Sequence, residues 1–406
     1  MTPMVENAVE YPGSAAPESA TGDARRAWWA VVTVFLIHGL VFSTWVSRIP
    51  SVKTGLHLGD GVFGLSLFGS AVGSMIGIPL CGWYVAHRGS KSAAIWTCIG
   101  LCLALLLPAF AVNAVTLFLA LAVFGAVLGA NDVAMNSQAV IVERMLGTPW
   151  MSRFHGMFSI GGIAGSAMGG WLASQRLQVT THFIIMAAIF LGLAFAISPM
   201  LPHAARAEES SAPVTRLRFR QMPVALLALS AIGFCIFLSE GAMADWTAIY
   251  LRQGLNAGPG TAAAGYAVFS AAMAVFRMCG DAITLRLGFA ATIRTGALLA
   301  AFGLTCALLA PGPSWALPGF ALVGAGFSSI IPLVFAAGGR IESVSEGAGV
   351  AAVSGIGYLG FLVGPTAIGF LSELTSLRVG LFLVVLLSVL AASLVSVADR
   401  DARRVR

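Results

Sequence analysis

Twelve long apolar runs constrain this chain more than any other feature. They fall at roughly 27–47, 61–86, 91–111, 114–140, 153–175, 180–201, 222–250, 261–286, 290–310, 313–338, 346–371 and 376–398. Each is about 20–28 residues long, and a bilayer core about 30 Å thick needs roughly 20 apolar residues per spanning helix. Barrel strands would instead alternate apolar and polar residues over about 10 positions, and no such alternation occurs. The chain is 58% apolar and only 10% charged, against about 45–50% and about 25% in soluble domains. A water-soluble globular fold is therefore excluded, and the expected fold class is an all-α membrane protein with 12 transmembrane helices.

The formal charge of +6 invites a nucleic-acid partner. The residues argue against it: Lys53 and Lys91 are the two lysines, and no basic cluster is interleaved with aromatics. Position explains the charge better. With the N-terminus inside, 17 Lys and Arg residues fall on the inner side and five (Arg48, Lys53, Arg176, Arg252, Arg378) in outer loops. Positive residues favour the cytoplasmic side, so both termini are expected in the cytoplasm. Trp28, Trp29, Trp45, Trp83, Trp96, Trp171 and Trp246 lie near span ends, as an interfacial belt requires.

One long polar connector divides the chain. Residues 1–26 read as a disordered cytoplasmic tail, 27–201 as a first six-helix half, 202–221 as a cytoplasmic linker, 222–398 as a second six-helix half and 399–406 as a basic cytoplasmic tail. The halves resemble each other weakly. Phe63-Gly64, Phe68, Gly82 and Arg88-Gly89 align with Ala264-Gly265, Phe269, Gly280-Asp281, Arg286 and Gly288, allowing small gaps. Two such halves related by a pseudo-two-fold axis suit a carrier that binds substrate at mid-membrane and rocks between them.

The stretch Gly82-Trp83-Tyr84-Val85-Ala86-His87-Arg88-Gly89-Ser90-Lys91 resembles the loop 2–3 signature of the major facilitator superfamily. Gly82, Arg88, Gly89 and Lys91 match it, while Ala86 stands where the family has Asp. Ser47-Arg48-Ile49-Pro50, Asn131 to Val140, Arg153-Phe154-His155-Gly156 and Glu240-Gly241-Ala242-Met243-Ala244-Asp245-Trp246 resemble its bacterial inner-membrane branch typified by the YbjJ and MosC (rhizopine-transport) proteins. The resemblance implies a transporter of the inner membrane for a small sugar- or inositol-like solute, and the carboxylates inside the spans point to a secondary, proton-coupled one. Efflux of drug-like or toxic compounds is the alternative. The implied partners are that small-molecule substrate, protons and the bilayer; the chain reads as a monomer that needs no cofactor.

Ionisable groups inside a bilayer are costly, about 2.5–3.5 kcal/mol each on insertion scales, so each is a candidate site. Glu240 is the first choice for proton coupling, with a helix-capping role as the alternative. Asp245 lies about 140° away on a helix, so both face one narrow cavity only if Gly241 breaks the helix; an outer-gate or structural role suits it. On span four, Asn131, Asp132, Asn136 and Gln138 form a polar arc about 160° wide, which lines a substrate cavity or an interhelical network. His38 heads a stripe with Phe42 and Trp45 that could stack on a ligand or on another helix. Arg277 and Asp281 have ion-pair spacing and suggest a cytoplasmic gate latch, with His155 a further gate contact. Glycine ridges at 69-73-77 and 161-165-169 favour close helix packing.

Other chemistry is unsupported. The six cysteines lie in apolar segments without a CxxC and read as buried side chains. No metal-ligand spacing occurs. Gly355 to Gly360 matches GxGxxG inside an apolar run with no preceding strand, so it fails as a nucleotide fingerprint. A membrane enzyme or a sensor would need motifs or an output domain that this sequence lacks. The orientation is directly testable. Green fluorescent protein fused after Arg406 is expected to fluoresce, and alkaline phosphatase is expected to be active after Leu58 and inactive after Arg406. The reverse pattern would invert the topology.

Overall fold

The computed structural model describes residues 22–148, 150–203, 222–341, 344 and 346–404. The tail before Gly22, and all of the linker but its first two residues and Met222 onward, lie outside them. The described residues are helical and contain no strand. The first half holds α1 (Gly22–Gly55), α2 (Asp60–Arg88), α3 (Ser90–Ala104), α4 (Ala114–Leu146), α5 (Met151–Ser174) and α6 (Val179–Ile197). The second holds α7 (Val224–Ile249), α8 (Pro259–Met278), α9 (Gly280–Leu287), α10 (Phe289–Leu309), α11 (Pro313–Phe327), α12 (Ile330–Gly338), α13 (Glu346–Leu374) and α14 (Leu377–Arg404). Eleven spans among the described residues are long and apolar enough to cross a membrane. The helix α5 supplies the twelfth; its glycines and serines dilute its hydropathy.

The two halves repeat one packing scheme. In the first, α2 packs on α4, α1 on α5 and α6, and α3 on α4 and α6. In the second, α8 packs on α11, α7 on α13 and α14, and α10 on α11 and α14. The contacts between halves are equivalent too: α5 lies on α8, and α13 on α2. Gly89 and Gly288 complete the correspondence. Both take positive φ (87° and 81°), and each N–H closes the preceding helix on the carbonyl four residues back, Val85 and Thr284. An L side chain is strained in that region.

Within each half the small residues set the helix spacing. A methyl on Gly69, Gly73 or Gly77 would strike the carbonyls of Phe118, Ala122 or Ala126 of α4. Gly161, Gly165 and Gly169 similarly meet α1 at Leu36, Leu40, Ser43 and Ser47. Ser74 Oγ donates to Gly125 O at 2.9 Å and Ser66 Oγ to Ala114 O at 3.2 Å. Lipid tails are as apolar as leucine, so such close backbone contact and interhelical hydrogen bonding supply the association. The helices' outward faces carry side chains uncovered by protein, among them Trp96, Phe195 and Phe302, which suits contact with lipid.

Several expectations need correction. The first apolar run ends at residue 47, but α1 continues to Gly55. Arg48 and Lys53 interrupt the apolar pattern, yet both are buried against tertiary partners, so neither is a loop residue. Residues 22–26 and 399–404, drawn as tails, are helical. The single spans 261–286 and 313–338 are each broken, at Cys279 and at Ser328-Ser329. Trp45 and Trp246 are core residues rather than members of an interfacial belt, and Cys279 and Cys306 are exposed.

Among the described residues, the tightest contacts between the halves gather at one end. At the end far from the N-terminus of α1, a methyl at Gly64 would sit 2.5 Å from Pro365 O, and one at Gly170 2.7 Å from Ala263 Cβ. There Glu373 Oε2 accepts from Gly61 N at 3.1 Å, and Lys53 Nζ lies 2.6 Å from Asp60 Oδ1 while donating to Gln253 Oε1 at 3.2 Å. About five turns along the face of Gly64 lies Gly82, and about four turns from Gly170 and Gly369 lie Gly156 and Gly355. A methyl on any of these three would meet nothing within 4 Å. The bundle is thus closed at the far end and parted at the near end. Overpacking separates the two environments. Gly73→Ala is expected to lower the melting temperature of detergent-solubilised protein by roughly 2–5 °C, for about 1–3 kcal/mol of strain. Gly82→Ala is expected to leave it within about 1 °C.

Candidate functional site

Seven membrane-embedded polar residues, from five helices of the two halves, make up the candidate site. From the first half come Asp132 and Asn136 of α4 and His155 of α5; from the second come Glu240 and Asp245 of α7, Arg277 of α8 and Tyr358 of α13. None of these is fully covered by protein, although each lies on an interior helix. Tyr358 is within electrostatic reach of Asp132 in the first half and Glu240 in the second. Tyr266 of α8 is within reach of Glu240 and Asp245, and Phe42 of α1 meets its ring with centroids 6.2 Å apart.

Glu240 holds an unpartnered oxygen. Its Oε1 is buried with no hydrogen-bond partner among the described residues, and Arg277 is the cation within electrostatic reach. The capping alternative therefore has no acceptor bond to support it at that oxygen. The helix α7 runs unbroken through Gly241, and Glu240 and Asp245 are both within electrostatic reach of Tyr266.

The polar arc of α4 divides. Asn131 is fully buried: its Oδ1 pairs with His38 Nδ1 at 2.9 Å, and its Nδ2 donates to Thr97 Oγ1 at 3.0 Å. Gln138 is also buried and donates to Ser90 Oγ at 2.7 Å. These two tie α4 to α1 and α3, so Asn131 and His38 belong to the packing of the first half and not to a cavity lining. Asp132 and Asn136 turn the other way. Asn136 Nδ2 donates to Asp132 O at 2.8 Å, and Asn136 Oδ1 pairs with His155 Nε2 at 3.2 Å. The stripe His38-Phe42-Trp45 is divided too, since His38 and Trp45 are core and Phe42 alone reaches across the halves.

The expected Arg277–Asp281 latch does not form. The break at Cys279 removes the continuous turn that their spacing presumes, and Arg277 Nε instead donates to Ser328 O at 3.0 Å. That bond satisfies a carbonyl freed by the break between α11 and α12. In the signature loop, Lys91 Nζ reaches Pro199 O at 3.5 Å, while Arg88 ends α2 and has no carboxylate at Ala86 to meet.

No signal in the sequence marks an aromatic cluster in the second half. Phe237 stacks on Tyr358, centroids 5.0 Å apart and planes 8° apart, and packs on Phe361 at 4.8 Å. Phe237 is buried and Tyr358 is exposed. In an apolar run the two have the same local pattern.

Comparison with known proteins accords with this arrangement. The Major Facilitator Superfamily model matches residues 31–341. An uncharacterised MFS-type transporter of Yersinia pestis is 36% identical over 359 residues, covering 88% of this chain and 92% of that protein. Membrane protein MosC of Rhizobium meliloti is 30% identical over 367 residues, covering 89% and 88%. Among solved structures, a nucleoside transporter NupG superposes with a TM-score of 0.75 at 11% identity, covering 92% and 98%. A D-xylose-proton symporter superposes at 0.69 and 14%, covering 91% and 97%. At these identities the structures speak for the fold.

The division of the α4 arc yields a stability test. Asn131→Ala orphans His38 and Thr97 within the first half and is expected to cost about 1–2 kcal/mol. Asn136→Ala, on the water-accessible side, is expected to cost less than about 0.5 kcal/mol. Thermal denaturation of the two variants in detergent checks this, and equal losses would contradict the division.

Proposed function

Since the chain belongs to the major facilitator superfamily and is a multi-pass membrane transporter rather than an enzyme, we propose that it moves a small polar, sugar- or inositol-like solute across the bacterial inner membrane, coupled to protons. The observation that carries this reading is Glu240. It is a carboxylate at the meeting plane of the halves, with one oxygen unpartnered and its surroundings closed at the far end. Such a group exchanges protons with one side of the membrane only. When the halves rock, the other side gains access, and protonation and solute binding become linked. Asp132 and Asn136 with His155 supply acceptors and donors for hydroxyl groups from the opposite half, and the Phe237–Tyr358 stack supplies a flat apolar face.

With both termini cytoplasmic, the parted end faces the cytoplasm and the latched end the periplasm. This is an inward-open arrangement. Two structural neighbours, a nucleoside transporter and a D-xylose-proton symporter, support a polar solute. The aromatic cluster also favours a second reading, efflux of a flat amphipathic compound through the same path.

Thermal stabilisation by inositols, sugars, amino sugars and common drugs identifies the solute. In proteoliposomes, Glu240→Gln is then expected to lower pH-driven accumulation of that solute by tenfold or more while solute exchange continues. Accumulation at the wild-type level in this variant would remove Glu240 from the coupling role.

A further inference from the structure

At the closed far end, a separate cavity of about 540 Å³ opens between the halves. Its lining includes Arg48, Ser51, Ser174, Arg176 and Gln178 from the first half and Arg252 from the second. Three arginines thus line one space, and no Asp or Glu lines it. These are three of the five positive residues that the sequence places on the outer side. Their convergence runs against the repulsion of like charges.

Arg48 makes the arrangement specific. It is 2% exposed, and an interior charge calls for a countercharge. Its described partners are uncharged. The Nε donates to His182 Nδ1 at 2.9 Å, and Nη2 donates to Leu177 O at 3.0 Å. A ring nitrogen that accepts a hydrogen bond carries no proton, so His182 is neutral while the first bond holds. Arg48 Nη1 has no partner among the described residues. Arg252 spends Nη1 on Ala257 O at 2.9 Å, which leaves its charge uncompensated as well. The guanidinium fork matches the geometry of carboxylate and phosphate oxygens, and the volume falls within the range of small-ligand sites, about 300–1,000 Å³.

We propose that this cavity is an oxyanion site, selective for a phosphate-type group and completed by arginines of both halves. The group reaches it either as a free anion in the external solution or as the headgroup of an anionic phospholipid at the bilayer surface. The site stands apart from the Glu240 region and holds whether or not that region couples protons. Because Arg252 comes from the second half and Arg48 and Arg176 from the first, a bound anion joins the two at their closed end.

Equilibrium dialysis of the full-length protein in detergent against radiolabelled inorganic phosphate, at constant ionic strength in chloride, tests the free-anion form. One saturable site is expected. Arg176→Gln and Arg252→Gln, both at exposed positions and so tolerable to the fold, are each expected to weaken it at least fivefold. Arg277→Gln, at the parted end, is expected to leave it unchanged. Native mass spectrometry after reconstitution with phosphatidylglycerol tests the lipid form. Retained lipid that is lost in the Arg176→Gln, Arg252→Gln double variant supports a headgroup occupant even where phosphate alone does not bind. If neither probe responds to these substitutions, or if Arg277→Gln weakens phosphate binding as much as they do, the proposal is overturned.

Discussion

Close backbone contact within each half is the interaction on which the rest of the structure rests. A helix in lipid gains little from hiding apolar surface, so it must find partners through van der Waals contact and hydrogen bonds. The ridge Gly69-Gly73-Gly77 against α4, and Gly161-Gly165-Gly169 against α1, leave no room for a single methyl. Buried polar bonds add direction to this contact. Asn131 joins α4 to α1 through His38 and to α3 through Thr97, and Ser74 and Ser66 reach carbonyls of α4. Each half is thereby a body with little freedom to deform.

Two stiff bodies can meet along only part of their facing surfaces at one time. Here they meet at the far end, through Gly64 on Pro365, Glu373 on the first turn of α2, and Lys53 between Asp60 and Gln253. The parted near end leaves Asp132, Asn136, His155, Glu240 and Tyr358 partly uncovered. A polar group inside the bilayer can be held by pairing within a half or left partly uncovered between the halves. Asn131 and Asp132 are sequence neighbours that exemplify the two.

The internal repeat is strict in packing and loose in detail. Gly89 and Gly288 close equivalent helices with the same backbone conformation. The second half, however, breaks two of its spans, and Arg277 joins the two breaks through the Ser328 carbonyl. The first half has no counterpart to this bond. Its signature loop has also lost the acidic residue that would pair with Arg88, since Ala86 takes that place. A cation of the second half thus serves a backbone carbonyl, and one of the first half stands without the carboxylate its family pattern supplies.

The sequence by itself determined the class of molecule. Span number, the division into halves, the charge bias and the presence of carboxylates inside the membrane are local or additive properties, readable from runs of about 20 residues. It also pointed to Glu240, Asp132 and His155, because an ionisable group in an apolar run is conspicuous wherever it faces. Tertiary structure decided the facing. One residue step turns a side chain by about 100°, and which neighbour stands in that direction depends on helices far away in the chain. That is why Asn131 and His38 fall to packing, why Arg48 and Lys53 extend α1 beyond its apolar run, and why Arg277 leaves Asp281 for Ser328. It is also why Tyr358 and Tyr266, indistinguishable from other aromatics in the sequence, come within electrostatic reach of the carboxylates.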